Sequence, residues 1–396
     1  MSMHNNTNFM SAELNIKSTI SSSDRWTPAL IGTTKENSSP CIILHFENGK
    51  YSVMRRNFNW PHQSNMANKG VPACKGTEQS ELSETWEVFT QKNSELPWDM
   101  CRAVASDLKG NIWIGTDNGI VRINNGNWEH FNTSNTILQP TTYNKNQTQS
   151  VMNMAIDNND NKWFIAGYDI YRYDNHIWTK YDSLNLPFKW ARKMVADHSG
   201  NMLFVSSSGI GKFDGQKWSV MNKQNSGLPS DISSGVFVDK KNRIWIGTYG
   251  GNIIIEKGVS RALNEASSPL SKAYISKMYE DKEGNLWFSL YNDKGSSAGI
   301  YTLSTNGNWN RILDKDPKMF SRNNISDFLL DEQTGTLWIS QNNVGILKYD
   351  INSKKLEIYT TENSNVPSVH IMQIMKDKDG AIWAATFAGV IRTELQ

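Results

Sequence analysis

A chain of 396 residues in which 41 Lys and Arg nearly balance 39 Asp and Glu, with both signs scattered and no basic stripe, lacks the electrostatic footprint of a nucleic-acid binder. An apolar content of 38% and 15 tryptophans mark a folded, turn-rich protein and exclude disorder throughout. No apolar run approaches the roughly 18 to 20 residues that cross a bilayer, and the start MSMHNNTNFM has no apolar h-region, so a soluble chain without a membrane span is expected.

Residues 1–23 read as an N-terminal extension. Residues 24–58, "SDRWTPALIGTTKENSSPCIILHFENGKYSVM" and its flank, form a degenerate blade-like unit, and 59–85 a polar linker or insertion. Beyond it the sequence repeats itself. "SDLKGNIWIGTDNGIVRI" at 106 returns as "IDNNDNKWFIAGYDIYRY" at 156, "ADHSGNMLFVSSSGIGKF" at 196, "VDKKNRIWIGTYGGNIII" at 238, "EDKEGNLWFSLYNDKGSS" at 280 and "KDKDGAIWAATFAGVIRT" at 376. "LDEQTGTLWISQNNVGILKY" at 330 fits with one extra residue. The aligned position holds Trp113, Trp163, Leu203, Trp245, Trp287, Trp338 and Trp383, at steps of 50, 40, 42, 42, 51 and 45 residues. A period of this length that absorbs insertions implies one supersecondary unit per repeat, with the insertions in loops.

Each unit reads as four short strands: an apolar run ending in Asp ("CRAVASD"), then "IWIGT", then "GIVRI", then a strand opening on a second aromatic ("WEHF"). Four antiparallel strands repeated radially describe a β-propeller blade. Seven sets of the first three strands are present, and the last, "GVIRTELQ", has no outer strand after it. "WEVFTQ" at 86 is an outer strand with no set before it, and pairing the two closes a ring with no open edge. The expected fold is therefore all-β, a propeller over 86–396 with seven blades favoured and eight possible if 24–58 joins the ring. Eleven tryptophans fall in register and are expected between blades. The Asp before strand b is expected in a turn; it lies six residues before Trp, which departs from the Asp-box of sialidases.

Cys41, Cys74 and Cys101 form no CxxC pair, and the seven histidines show no HxxxH or HExxH spacing, so no metal site is expected and no cofactor. The sequence leaves the oligomeric state open.

The segments "NSELPWDMCRAVASD" (93), "NSGLPSDISSGVFVD" (225) and "NSNVPSVHIMQIMKD" (363), joined to "GNIWIGT.NGI", resemble the repeats called two-component regulator propellers. These occur in bacterial sensor histidine kinases and in stand-alone secreted or periplasmic proteins. In the sensors the propellers lie outside the inner membrane and detect breakdown products of polysaccharides. The resemblance implies a non-enzymatic module, periplasmic or extracellular, that binds an oligosaccharide or a protein. The sequence departs from those sensors in having no membrane helix, no kinase region and too few blades for paired propellers.

Strand alternation puts the b-to-c and d-to-a loops on one face, at the channel mouth. Residues that break the repeat there are the candidates for binding: Trp98, Trp190, Arg192, Tyr274 and His370 from the d-to-a loops, and Tyr168, Tyr249 and Tyr291 from the b-to-c loops, with the insertion 291–298 overhanging. Aromatic faces with guanidinium and hydroxyl groups suit a sugar or a peptide. The alternative is an enzyme on the same face, a polysaccharide lyase or one like streptogramin lyases, with His370 as base beside Asp99 or Asp231, or Tyr249 as proton donor. A third reading makes 59–85 a docking arm in an assembly.

Overall fold

The computed structural model describes residues 26–30, 41–47, 50–56, 82, 84–140, 150–263, 268–271, 273–291, 299–313 and 325–393. They fall into two compact units, 1–81 and 82–396. In the first, Trp26–Leu30, Cys41–Glu47 and Lys50–Arg56 make a three-stranded antiparallel sheet, with Cys41–Glu47 in the middle. Pro28 lies in an edge strand, where its missing N–H interrupts no ladder. Aligned on the repeat, that segment would span the a-to-b turn and the start of strand b; it is a strand throughout, and among the described residues it pairs only with Cys41–Glu47. The N-terminal extension and most of the linker lie outside the described residues.

The second unit has seven four-stranded antiparallel sheets, the seven-bladed propeller expected. Blade 1 runs Cys101–Ser106, Ile112–Thr116, Gly119–Asn124 and Asn127–Phe131, from the innermost strand a to the outermost strand d. Blades 2 to 6 keep the same order, with a strands at Val151–Ile156, Lys193–Ala196, Ser233–Val238, Tyr274–Glu280 and Ile325–Asp331. Blade 7 takes Ile371–Lys376, Ile382–Thr386 and Gly389–Thr393 from the C-terminal end and its fourth strand, Trp86–Phe89, from before blade 1. Trp86 packs edge-on against Trp338 and Tyr359 of blade 6, at 5.8 Å from each.

The core is divided among the blade interfaces. Seven buried clusters are found among the described residues, and each joins one blade to the next around the ring. Trp113 of blade 1 is fully buried against Phe164 and Tyr173 of blade 2, and Phe89 of blade 7 meets Trp128 of blade 1 where the ring closes.

The repeated Asp does more than turn the chain. In blade 1 the Asp107 carboxylate accepts the backbone N–H groups of Lys109 and Asn111, the Asn111 amide, and the Trp113 indole N–H at 2.9 Å. The same Asp-to-indole bond recurs at Asp157–Trp163, Asp239–Trp245, Asp281–Trp287 and Asp377–Trp383, at 2.7 to 2.9 Å. Six residues of spacing bring the carboxylate back over the ring edge across the hairpin. In blade 6 the extra residue breaks this register: Asp331 accepts Lys376 Nζ at 2.8 Å instead. At the other end of strand b the Thr116 hydroxyl donates to the Gly119 carbonyl and accepts Asn118 N–H, and Thr248 and Thr386 repeat the pattern. Gly119 sits at φ +94°, and a Cβ there would lie 2.4 Å from the Phe131 carbonyl oxygen, so only glycine fits beside strand d.

Candidate functional site

The d-to-a loops share a frame that explains "NS.LP". Asn93 accepts Thr90 N–H and donates to the Val88 carbonyl, Ser94 donates back to Thr90, and Leu96 is buried in the interface between blades 7 and 1. Asn225, Ser226 and Leu228 do the same before blade 4. The frame delivers the residues after it to the rim. Trp98 stands exposed there, and Trp190 is half exposed, at 52%, with its backbone at φ +58°. A tryptophan in the left-handed region is strained by about 1 kcal/mol or more, so packing must hold it there.

Three aromatic pairs sit at the rim. Tyr168 from the b-to-c turn of blade 2 stacks on Trp190 at 6.2 Å and 27°. Tyr249 from the same turn of blade 4 meets Tyr274 of blade 5 at 5.0 Å. His370, one residue before the last inner strand, lies against Phe387 at 5.2 Å, and the Arg102 guanidinium lies over that ring at 5.6 Å. Phe387 escaped the sequence reading, although it occupies the turn position of Tyr249 when "GTYGG" is laid on "ATFAG". Tyr291 ends strand b of blade 5, opposite Tyr274 in register. Its side chain and the insertion after it lie outside the described residues. Trp98 has no ring partner among the described residues.

The seven inner strands surround a cavity of about 680 Å³. In six of them the pairing with strand b shifts near the start of the strand, at its second residue or, in blade 5, its third, a β-bulge that re-aims that side chain. The bulged residues are Arg102, Met152, Ser234, Ser276, Ser326 and Met372, and all line the cavity. Each lies five residues before its turn Asp, and blade 3 contributes Arg192 at the same position. One residue further along, four before the Asp, a second ring reads Ala103, Asn153, Lys193, Gly235, Lys277, Asp327 and Gln373.

Four polar members of this second ring are bonded to other blades. Lys277 Nζ donates to Asp327 Oδ1, Asp327 Oδ2 accepts Ile374 N–H at 3.0 Å, and Gln373 Oε1 accepts Val104 N–H at 3.2 Å. Lys193 Nζ donates to the Ser276 carbonyl of blade 5 at 2.9 Å, past Gly235 of blade 4, and forms no ion pair among the described residues. Burial pushes the Lys193 ammonium below the usual lysine range; Asp327 opposes this in part, and the Lys277 charge adds to it. In the first ring Arg102 is held by Asp117 at 2.5 and 3.1 Å, while the exposed Arg192 guanidinium has no acceptor among the described residues.

The two carboxylates considered as partners of His370 each hold a loop. The Asp99 carboxylate accepts Gln91 N–H at 2.7 Å and Asp231 accepts Lys223 N–H at 2.8 Å, so both cap their loops. Cys101 is buried, and its thiol is pushed well up by burial and then by the Asp99 and Asp117 charges, which keeps it protonated. Among the described residues no three His, Cys, Asp or Glu side chains gather into a metal site, and no helix is long and apolar enough to cross a membrane.

The model of the two component regulator propeller family matches residues 227–250 and 269–292. The chain carries two-component regulator propeller repeats. No curated protein matches the sequence. Among solved structures, the extracellular domain of BT3049 from B. thetaiotaomicron, assigned to a hybrid two component system, is 19% identical with a TM-score of 0.62, over 93% of this chain and 51% of that one. The extracellular domain of BT4673 from the same organism is 18% identical with a TM-score of 0.62, over 79% of this chain and 40% of that one. The chain thus spans 40 to 51% of these sensor domains. A catalytically inactive virginiamycin B lyase from Staphylococcus aureus, solved with quinupristin, is 18% identical with a TM-score of 0.56, over 79% and 99% of the two chains. At these identities the likeness concerns the fold. The two-component regulator propeller repeat accounts for the strands, the turns and the NS.LP loops, and it leaves the rim and the two inner rings to be decided residue by residue.

Proposed function

We propose that this propeller is a non-enzymatic recognition module of the sensor type, working outside the cytoplasm, that binds an oligosaccharide at the channel mouth. Trp98, Trp190, Arg192, Tyr168, Tyr249, Tyr274, Tyr291 and His370 form its contact surface, joined by Phe387. One observation carries the reading: Trp190, held exposed at a strained φ and stacked on a Tyr168 that is itself 43% exposed, at the rim of a cavity that Arg192 and Tyr249 line. A scaffold would bury such a ring; a flat apolar platform beside polar groups is what a sugar face needs. The extracellular sensor domains of like fold support the compartment and the role.

Calorimetric titration with a panel of plant and host oligosaccharides tests the reading. One class of saccharide binds the full chain, and the Trp98→Ala, Trp190→Ala double variant loses at least tenfold in affinity, about 1.4 kcal/mol. Unchanged affinity in the double variant refutes the site. Absence of any saccharide binding alongside robust binding of a protein partner refutes the ligand class.

A further inference from the structure

We propose that the channel beneath the mouth is an anion site, and that the saccharide recognised there carries a carboxylate, as a uronic acid does, which enters between Lys193, Lys277 and Arg192. This rests on the reading of the mouth as a saccharide site and adds the ligand's chemical class.

The charge of the two inner rings carries the argument. A propeller needs no charge at these positions: the same ring holds Ala103 in blade 1 and Gly235 in blade 4. Yet blades 3 and 5 both place a lysine there, and blade 6 supplies a single carboxylate, Asp327, which is already engaged with Lys277. Lys193 is left with one backbone carbonyl, and Arg192 lies one residue closer to the mouth with no acceptor among the described residues. Two ammonium groups in one cavity, only one of them paired with a carboxylate, repel each other in a medium less polar than water, a cost that folding alone gives no reason to keep. A ligand carboxylate cancels the excess charge and supplies acceptors to both lysines and to Arg192. A cavity of about 680 Å³ has room for the terminal sugar that bears it. Gly235 opens the path, since a Cβ there would come within 2.7 Å of the Ile275 carbonyl and would stand beside the route from Lys193 to blade 5.

Thermal unfolding of the full chain with digalacturonate, galactobiose or acetate, at matched ionic strength, tests the assignment. Digalacturonate at a hundredfold excess over its Kd raises the midpoint by about 4 °C, and galactobiose raises it much less. Lys193→Met abolishes the digalacturonate shift, and the variant without ligand unfolds at the same or a higher temperature because the repulsion with Lys277 is gone. Equal shifts from digalacturonate and galactobiose, or a digalacturonate shift that survives in Lys193→Met, overturn the anion site while the saccharide reading stands. An acetate shift as large as that of digalacturonate, lost in Lys193→Met, keeps the anion site and removes the saccharide. No shift with any of the three overturns the proposal. So does a Lys193→Met chain that unfolds several degrees lower, since that makes the lysine a tether to Ser276.

Discussion

Replacing Asp107 with alanine removes more than a turn. The carboxylate satisfies the Trp113 indole and the Asn111 amide, both buried, and lies 3.4 Å from the Lys162 ammonium, which is fully buried between blades 1 and 2. Each buried donor left without an acceptor costs about 1–3 kcal/mol, and with the weakened Lys162 the total is about 3–5 kcal/mol. For a unit of this length 1 kcal/mol moves the unfolding midpoint by about 1.5 °C, so a fall of roughly 5 to 8 °C is expected in calorimetry. Blade 3 provides the control within the same molecule. Asp197 accepts the N–H groups of Ser199 and Asn201 and the Asn201 amide, as its counterpart does, but Leu203 stands where the tryptophan would be. Asp197→Ala therefore costs about 1–3 kcal/mol less. Equal losses in the two variants would show that the indole bond contributes nothing and that the Asp is only a turn residue.

Three further outcomes are expected. Hydrogen bonds and lysine charges outweigh burial and hold the Asp107 and Asp331 carboxyls below the usual aspartate range, so the stability they contribute is present above about pH 4 and is lost as pH falls through their folded values. The unfolding midpoint should drop as pH falls below about 4, and a flat profile there would contradict the assignment. Trp190→Gly relieves the positive φ and should leave the midpoint unchanged or raise it by a degree or two while weakening saccharide binding about tenfold; a large loss of stability would make Trp190 a packing residue. Deleting residues 86–89 strips the outer strand from blade 7 and the fully buried Trp86 from its interface, so the chain should unfold several degrees lower and associate through the open edge in light scattering; an unchanged monomer would refute closure by this strand.

The repeat made the fold legible. A tryptophan that returns every forty to fifty residues identifies the blade, and the leftover "WEVF" segment announces how the ring shuts. The role of the Asp was visible only as a turn, because a spacing of six says nothing about which side chain crosses back over the hairpin. The rim aromatics were legible because they break the pattern, but that Tyr168 meets Trp190 and Tyr249 meets Tyr274 was not. Lys193, Lys277 and Asp327 were missed. Each lies in a mostly apolar run next to another polar residue, Arg192, Ser276 or Ser326, and strand alternation does not say which of the two faces the axis.

What singles those three out is a comparison across blades and not along any one of them. In a closed ring, seven residues at the same repeat position become neighbours around one axis, so a charge tolerable on an isolated strand meets six others. The repeat therefore turns a sequence position into a place: five residues before each turn Asp is the position that lines the cavity, and four before is the ring below it. The consensus positions are bound by the Asp–Trp bond and the interface clusters and have little freedom to vary. Most residues of these two rings escape that constraint because they line the cavity, with Ala103, packed between blades 1 and 2, an exception. Charge there that the fold does not require is then the most direct record of what the propeller holds, which is why a variant at Lys193 tests the function more sharply than one at any of the buried tryptophans.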